Sequence, residues 1–137
     1  MQAKGRQDRI IEQVIALARD AAPDLTAILI THYPDVETLD TFRPGETDLG
    51  TVAAVNRAVA TELAAAGVRV FVQVADRAAF RRWLTGRPDT QESRWAWRDR
   101  NHLLRGAAAL TALGADPASL SWLVRAVYAL GNRDREP

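Results

Sequence analysis

The spacing of apolar residues in the first half of the chain switches between helical and strand periods. A helical stripe covers residues 8–21, and a continuous apolar run follows at Leu25–Ile30, the pattern of a strand covered on both faces. Residues 49–66 form a second helical stripe. Residues 68–74 place four valines on one face and Arg69, Phe71 and Gln73 on the other, as a strand nearer the sheet edge does. Between the first predicted strand and the second predicted helix, Val36–Phe42 is interpreted as a short edge strand. The order strand, helix, strand predicts a parallel pair joined by a right-handed crossover.

Helical periodicity resumes after the second predicted strand. Residues 77–85 form a short stripe, and the sequence Asp-Thr-Gln-Glu at 89–92 has the form of a capping box that opens a long helix to Leu113. A last helix is predicted from Asp116-Pro117 to about residue 130, because Asp followed by Pro is a strong helix start. Asp48 and Asp76 are predicted helix N-caps, and Gly67 and Gly114 are predicted to follow helix ends; these are the residue types that such positions favour.

These elements predict an α/β fold, with α+β as the alternative. The expected architecture is a small two- or three-stranded sheet with a parallel βαβ crossover, packed by helices, plus a C-terminal helical hairpin. One domain is expected over residues 1–137. Within it, residues 1–88 form the α/β part, 89–131 the helical hairpin and 132–137 a frayed tail.

Composition narrows the function classes without selecting one. The chain has no cysteine, which excludes disulfides, thiolate metal sites and cysteine nucleophiles. The N-terminus lacks the form of a secretory signal, and no apolar run approaches the roughly 20 residues that span a bilayer. We therefore expect a small soluble protein of the cytoplasm without membrane attachment. No motif predicts a metal or another cofactor.

Charge is distributed unevenly along this nearly neutral chain, whose net charge is +1. The segment Arg77–Arg105 has eight arginines and only three acidic residues, Asp89, Glu92 and Asp99. It also holds three of the four tryptophans. Because arginine contacts phosphates and carboxylates in a bidentate manner and tryptophan stacks on planar groups, the segment is a candidate surface for an anionic partner.

On a helical wheel of the predicted helix 90–113, several polar side chains share one face. Arg94, Arg98 and Arg105 would form a ridge of roughly 16 Å, with Trp95 beside it. The complete candidate site for an anion or a nucleic acid is Arg94, Arg98, Arg105, Trp95, Asn101, Arg81 and Arg82. The open alternative is that these arginines face only water, or pair with the acidic segment 32–48 of the same chain. Trp83, Trp97 and Trp122 are predicted core residues, and Trp95 is predicted to be exposed.

Three function classes remain open. The leading hypothesis is a small, non-enzymatic accessory protein of bacterial type that binds nucleic acid or an acidic protein surface through the arginine and tryptophan face. The second is an interaction or oligomerisation module, with a homodimer as one form, that uses the apolar helix after Asp116. The third is a small metal-dependent enzyme at the carboxyl ends of the strands, where His32, Asp35 and Asp76 follow the predicted strands. A DNA-binding helix-turn-helix is rejected, because the last predicted helix offers only one charged residue, Arg125, for contacts with bases.

Overall fold

The computed structural model describes residues 5–120 of the chain. Within that range the helices are α1 (Arg6–Ala21), α2 (Val36–Phe42), α3 (Leu49–Ala65), α4 (Arg77–Leu84), α5 (Gln91–Trp95) and α6 (Gly106–Ala112). The strands are β1 (Ala27–His32), β2 (Arg69–Val74) and β3 (Leu104–Arg105). Short 3₁₀ turns lie at Ala22–Asp24 and Pro117–Ser119. Across residues 5–120, the helices fall short of the length and apolar content that a bilayer span requires.

The three strands form one mixed sheet in the order β1-β2-β3. β1 and β2 are parallel and in register from Ala27 opposite Arg69 to His32 opposite Val74. β3 pairs antiparallel with the other edge of β2, with Phe71 opposite Arg105. Helix α3 lies between the parallel strands in the chain, so the fold is the predicted α/β arrangement with a parallel βαβ crossover.

Local capping explains why several helices begin and end where the sequence predicted. The Asp48 and Asp76 carboxylates accept hydrogen bonds from the amides of Thr51 and Ala79, at 3.1 and 3.0 Å, which satisfies amides that have no partner inside the helix. Gly67 follows α3 with φ of +91°, a conformation that side chains disfavour. The predicted N-caps and this predicted terminal glycine are confirmed.

Two buried clusters cover most of the core. One packs Val70 and Val72 of β2 against alanines of α3 and against Leu110 of α6. The other is aromatic and joins α2, α4 and the segment after α5; its buried members are Tyr33, Leu39, Phe42, Ala75, Phe80 and Trp97. The Phe42 and Phe80 rings stack at 4.1 Å between centroids, and the Trp97 ring meets Phe42 edge-on at 5.2 Å. The prediction that Trp97 belongs to the core is therefore confirmed.

The predicted edge strand at Val36–Phe42 is wrong, because this segment is helix α2. The Asp35 carboxylate accepts a hydrogen bond from the Thr38 amide at 2.7 Å, so a capping residue precedes the segment. Leu39 and Phe42, three positions apart, are then both buried in the aromatic cluster. Helical spacing buries both side chains on one face.

The predicted long helix over 89–113 is also wrong. Helix α5 covers only Gln91–Trp95, residues 96–103 contain no helix, and β3 precedes α6. Thr90 caps α5, and its side chain accepts from the Ser93 amide. β3 pairs with β2, so strand pairing outweighed the helical periodicity, and Gly106, the first residue of α6, has φ of +60°. The first arm of the predicted hairpin is therefore interrupted, and the second arm beyond Leu120 lies outside the described residues.

Strand placement within the sheet is the third correction. β2 was predicted nearer the edge, but it is the central strand, because β3 pairs with its second side. β1, predicted to be covered on both faces, is an edge strand with half-buried residues at most of its positions. This edge position of β1 determines where the candidate site lies.

Candidate functional site

The predicted arginine ridge does not exist as one helical face. Arg94 lies on α5, Arg98 lies in the irregular segment 96–103, and Arg105 lies on β3. The three guanidiniums are therefore positioned by three different local structures, and each has a different environment.

Arg94 is bound within the protein. Its guanidinium donates to both carboxylate oxygens of Asp89, at 2.7 and 3.1 Å, and also to the carbonyl oxygen of Thr41 at the end of α2. Its Cζ lies 5.5 Å from the centre of the Phe80 ring, and the side chain is only 16% exposed. The hydrogen bonds from Arg94 lower the pKa of Asp89. Arg94 is therefore paired within the chain, as the alternative interpretation of the sequence had it. Its carboxylate partner is Asp89, however, and not an acid of segment 32–48.

Arg98 is exposed, and its position is fixed by the backbone around it. Its Nη1 atom donates to the carbonyl oxygens of Trp95 and Trp97, both at 2.8 Å, so it satisfies carbonyl groups where α5 ends. Within residues 5–120, no carboxylate pairs with the Arg98 guanidinium. The two carbonyls therefore hold this exposed side chain in place at the surface.

A buried amide attaches this segment to the sheet. Gln73, the fifth of the six residues of β2, is 2% exposed. Its Nε2 atom donates to Thr31 Oγ1 at 2.9 Å and to the Trp97 carbonyl at 3.2 Å, and its Oε1 atom accepts from the Asp99 amide at 2.8 Å. Gln73 therefore positions both Trp97, in the core, and Arg98, at the surface.

Trp95 is exposed, as predicted, with 60% of its surface accessible. It lies where two open clefts meet. The first, which we name the β1 cleft, measures about 330 Å³ and lies between Ile28–Thr31 of β1 and the residues Arg94, Trp95, Trp97 and Arg98. The second measures about 860 Å³ and extends from Trp95 towards Gly45 and Asp89. Arg43, which follows α2, borders both clefts.

The β1 cleft is basic and aromatic. Within the described part of the chain, its lining includes three arginines, Arg43, Arg94 and Arg98, and no carboxylate. The Arg43 Cζ atom lies 5.4 Å from the centre of the Tyr33 ring, and no carboxylate of the described part of the chain pairs with Arg43. Arg43 and Arg98, which pair with no carboxylate of residues 5–120, lie beside an exposed indole and can contact anions and planar groups together with it.

Arg105 lies on the second face of the sheet, away from α3. Its Cζ atom is 5.9 Å from the Phe71 ring centre, and the Cζ atom of Arg69 is 6.0 Å from the same point. A shallow apolar cleft of about 360 Å³ borders this face between Ala27 and Leu103, with Arg98 at its margin. Arg98 thus links this face to the β1 cleft.

Three other predicted site residues are exposed but do not border these clefts. Arg81 and Arg82 lie in the last turn of α4, and Asn101 lies in the irregular segment, where its amide donates to Asp99. The structure thus brings Trp95 together with Arg94 and Arg98, and leaves the two α4 arginines on another helix.

The carboxylates at the strand ends act as helix caps. Asp35 and Asp76 each accept a hydrogen bond from a backbone amide. The hydrogen bonds from the Thr38 side chain and amide lower the pKa of Asp35. Burial lowers the pKa of His32 at the end of β1. Among residues 5–120, no group of three His, Asp or Glu side chains is placed to hold a metal ion.

The sequence analysis missed Arg43, Gln73 and Asn56. Arg43 was assigned only to an acidic loop, and Gln73 was placed on the polar face of its strand. Asn56, on α3, donates to the Thr31 carbonyl at 3.1 Å. A polar residue between two valines of a strand, as Gln73 is between Val72 and Val74, is the signal that indicates a buried amide.

Comparison of the chain with protein-family models, with curated proteins and with solved structures finds no match.

Proposed function

We propose that this chain is a non-enzymatic binding protein for an anionic partner, nucleic acid or an acidic protein segment. The contact surface is the β1 cleft with Trp95, Arg43 and Arg98. Arg105 and Arg69 extend this surface along the second face of the sheet. The proposal keeps the class of partner expected from the sequence and moves the contact from a helical ridge to a cleft.

The observation that carries the proposal is the composition of the β1 cleft. Among residues 5–120, three arginines and an exposed indole border it and no carboxylate does, although Arg94 is already paired with Asp89. Arg43 and Arg98 need no charged partner to hold their positions, because Tyr33 and two backbone carbonyls hold them. An anion that enters the cleft therefore meets positive charge that is already oriented, which reduces the entropy lost on binding.

The test is fluorescence polarisation with labelled single-stranded DNA, single-stranded RNA and polyglutamate, between about 50 and 200 mM salt. We expect at least one probe to bind and its affinity to fall steeply with salt, because binding releases counterions. The variant Arg43→Ala/Arg98→Ala should lose most of the binding, and Trp95→Ala should lose part of it.

The matched control is Arg81→Ala/Arg82→Ala, which removes the same two charges from an exposed helix outside the cleft. Melting curves confirm that each variant is folded. Equal losses in both double variants would show a diffuse charge effect and would refute the cleft as the site. Absence of binding by all three probes at low salt would refute the function itself.

A further inference from the structure

Among residues 5–120, no strand pairs with the outer edge of β1. β1 pairs with β2 on one side, and the carbonyls of Thr26 and His32 accept the amides of Arg69 and Ala75 on that side, at 3.1 and 2.8 Å. Successive residues of a strand direct their backbone groups to opposite edges, so the residues at 27, 29 and 31 direct theirs away from β2. Among residues 5–120, the recorded partner on that outer edge is Asn56, which donates to the Thr31 carbonyl.

The sequence of β1 has none of the features that usually protect an edge strand. Ala-Ile-Leu-Ile-Thr-His contains no lysine, no proline and no acidic residue, and all six residues pair with β2 without a bulge. Unprotected edges of this kind accept further strands. The outer edge of β1 also faces an open volume, because Ile28–Thr31 form one wall of the β1 cleft.

The charges beside this edge select among possible occupants. Arg43 and Arg98 border the cleft without carboxylate partners in the described part of the chain. A second copy that paired through its own β1 would bring the same two arginines towards their counterparts, which like charge disfavours. An extended segment with acidic side chains would instead place carboxylates against both guanidiniums.

We propose that the outer edge of β1 binds an acidic, extended peptide segment of another protein as a fourth strand of the sheet. The main-chain groups at positions 27 and 29 and the Thr31 amide supply the hydrogen bonds, since the Thr31 carbonyl already accepts from Asn56, and Arg43 and Arg98 select acidic side chains. A strand that matches the six residues of β1 spans roughly 20 Å. The proposal rests on the proposed function, since both use the β1 cleft, and it specifies the partner as peptide.

The experiment measures binding of a fluorescent peptide in which glutamate and valine alternate over eight residues. We expect the peptide to bind and the Arg43→Ala/Arg98→Ala variant to lose that binding. Methylation of the amide nitrogens at alternate positions removes donors without changing charge. The methyl groups can be placed on either of the two alternating sets of peptide amides. Methylation of the set that faces β1 should weaken binding at least about tenfold, and methylation of the other set should have little effect.

A substitution in β1 tests the same hydrogen bonds by changing the protein instead of the peptide. In Leu29→Pro the lost amide is one that points outward, so the ladder with β2 keeps its hydrogen bonds and peptide binding should fall. Ala27→Pro makes the same test at the first residue of the strand if Leu29→Pro does not fold. The methylated peptides leave the protein unchanged, so they decide the question even if neither variant folds.

The outcomes separate this inference from the proposed function. Binding of DNA or RNA without binding of the peptide would overturn the inference and leave anion binding intact. Peptide binding that depends on the arginines but not on methylation would do the same. Self-association in sedimentation velocity that Leu29→Pro abolishes would identify a second copy as the occupant and overturn the acidic peptide. No binding of nucleic acid, polyglutamate or the peptide would overturn both proposals.

Discussion

Replacing Gln73 by leucine should detach the segment that holds Trp97 and Arg98 from the sheet. The substitution removes three hydrogen bonds, two donated by Nε2 and one accepted by Oε1. Each is worth about 1 kcal/mol net, and a buried amide left without an acceptor costs about 1–3 kcal/mol more. The Trp97 carbonyl keeps its bond from Arg98, so the Asp99 amide is the group left without its partner. The gain from burying leucine offsets part of this loss, and we expect a net destabilisation of about 3 kcal/mol.

Urea unfolding measures the change in the free energy of unfolding. With a urea dependence of about 1–3 kcal/mol per molar, the midpoint should fall by about 1–3 M. Hydrogen exchange gives a local measurement, because the Asp99 amide should lose protection in Gln73→Leu even where the fold persists. Thr31→Val removes only one of the three bonds and should cost about 1 kcal/mol.

The matched control is Thr61→Val, which removes a threonine hydroxyl bond of 2.8 Å inside α3. That exposed hydroxyl bonds only within its own helix, so the change should stay within about 0.5 kcal/mol. In the Gln73→Leu background, Thr31→Val should have almost no further effect, because its partner is already gone. A Gln73→Leu protein as stable as the parent, with a protected Asp99 amide, would refute the assignment of Gln73 as the anchor of this segment.

Three further predictions follow from individual contacts. Asp89→Asn should free the Arg94 guanidinium and remove a negative charge, so anionic probes should bind more tightly in fluorescence polarisation; unchanged or weaker binding would show that Arg94 does not contribute to the surface. Gly114→Ala should lower the free energy of unfolding by about 1 kcal/mol, because Gly114 has φ of +74°. Gly50→Ala, inside α3, should leave the free energy of unfolding unchanged or raise it by up to about 1 kcal/mol. Thermal melts that rank the two variants in the opposite order would contradict this. Burial lowers the pKa of His32 in the folded state, so the unfolded chain takes up this proton first, and stability should fall as the pH drops below the ordinary histidine value of 6.5. His32→Gln should flatten that part of the stability profile in urea titrations between pH 7 and 5, and an identical slope in both proteins would contradict the assignment to His32.

Much of the fold could be predicted because its signals are local. The helices at 8–21, 49–66 and 77–85, and the two parallel strands, were predicted within a few residues of their observed bounds. A capping carboxylate acts on an amide three residues away, and apolar periodicity reflects a single buried face. These interactions depend on neighbours in the chain and need no knowledge of distant segments.

The candidate site could be predicted only in its residue types. Exposure of Trp95, burial of Trp97 and the abundance of arginine were inferred correctly. The helical ridge was not, because Asp99, Asn101 and Gly106 weaken a helix that the apolar spacing alone supports, and pairing with β2 provides a better arrangement for residues 104–105. That pairing joins residues more than 30 positions apart and cannot be recognised from two residues of strand.

The sequence by itself determined the α/β class, the parallel crossover, the helix caps and the concentration of positive charge after β2. Only the tertiary structure decided the surroundings of each arginine. It paired Arg94 with Asp89, placed Arg98 in the cleft beside β1, and brought Arg43 from another segment to the same cleft. The physical reason is that charge and periodicity are properties of nearby residues, whereas pairing, burial and strand order are determined by contacts between segments distant in the chain.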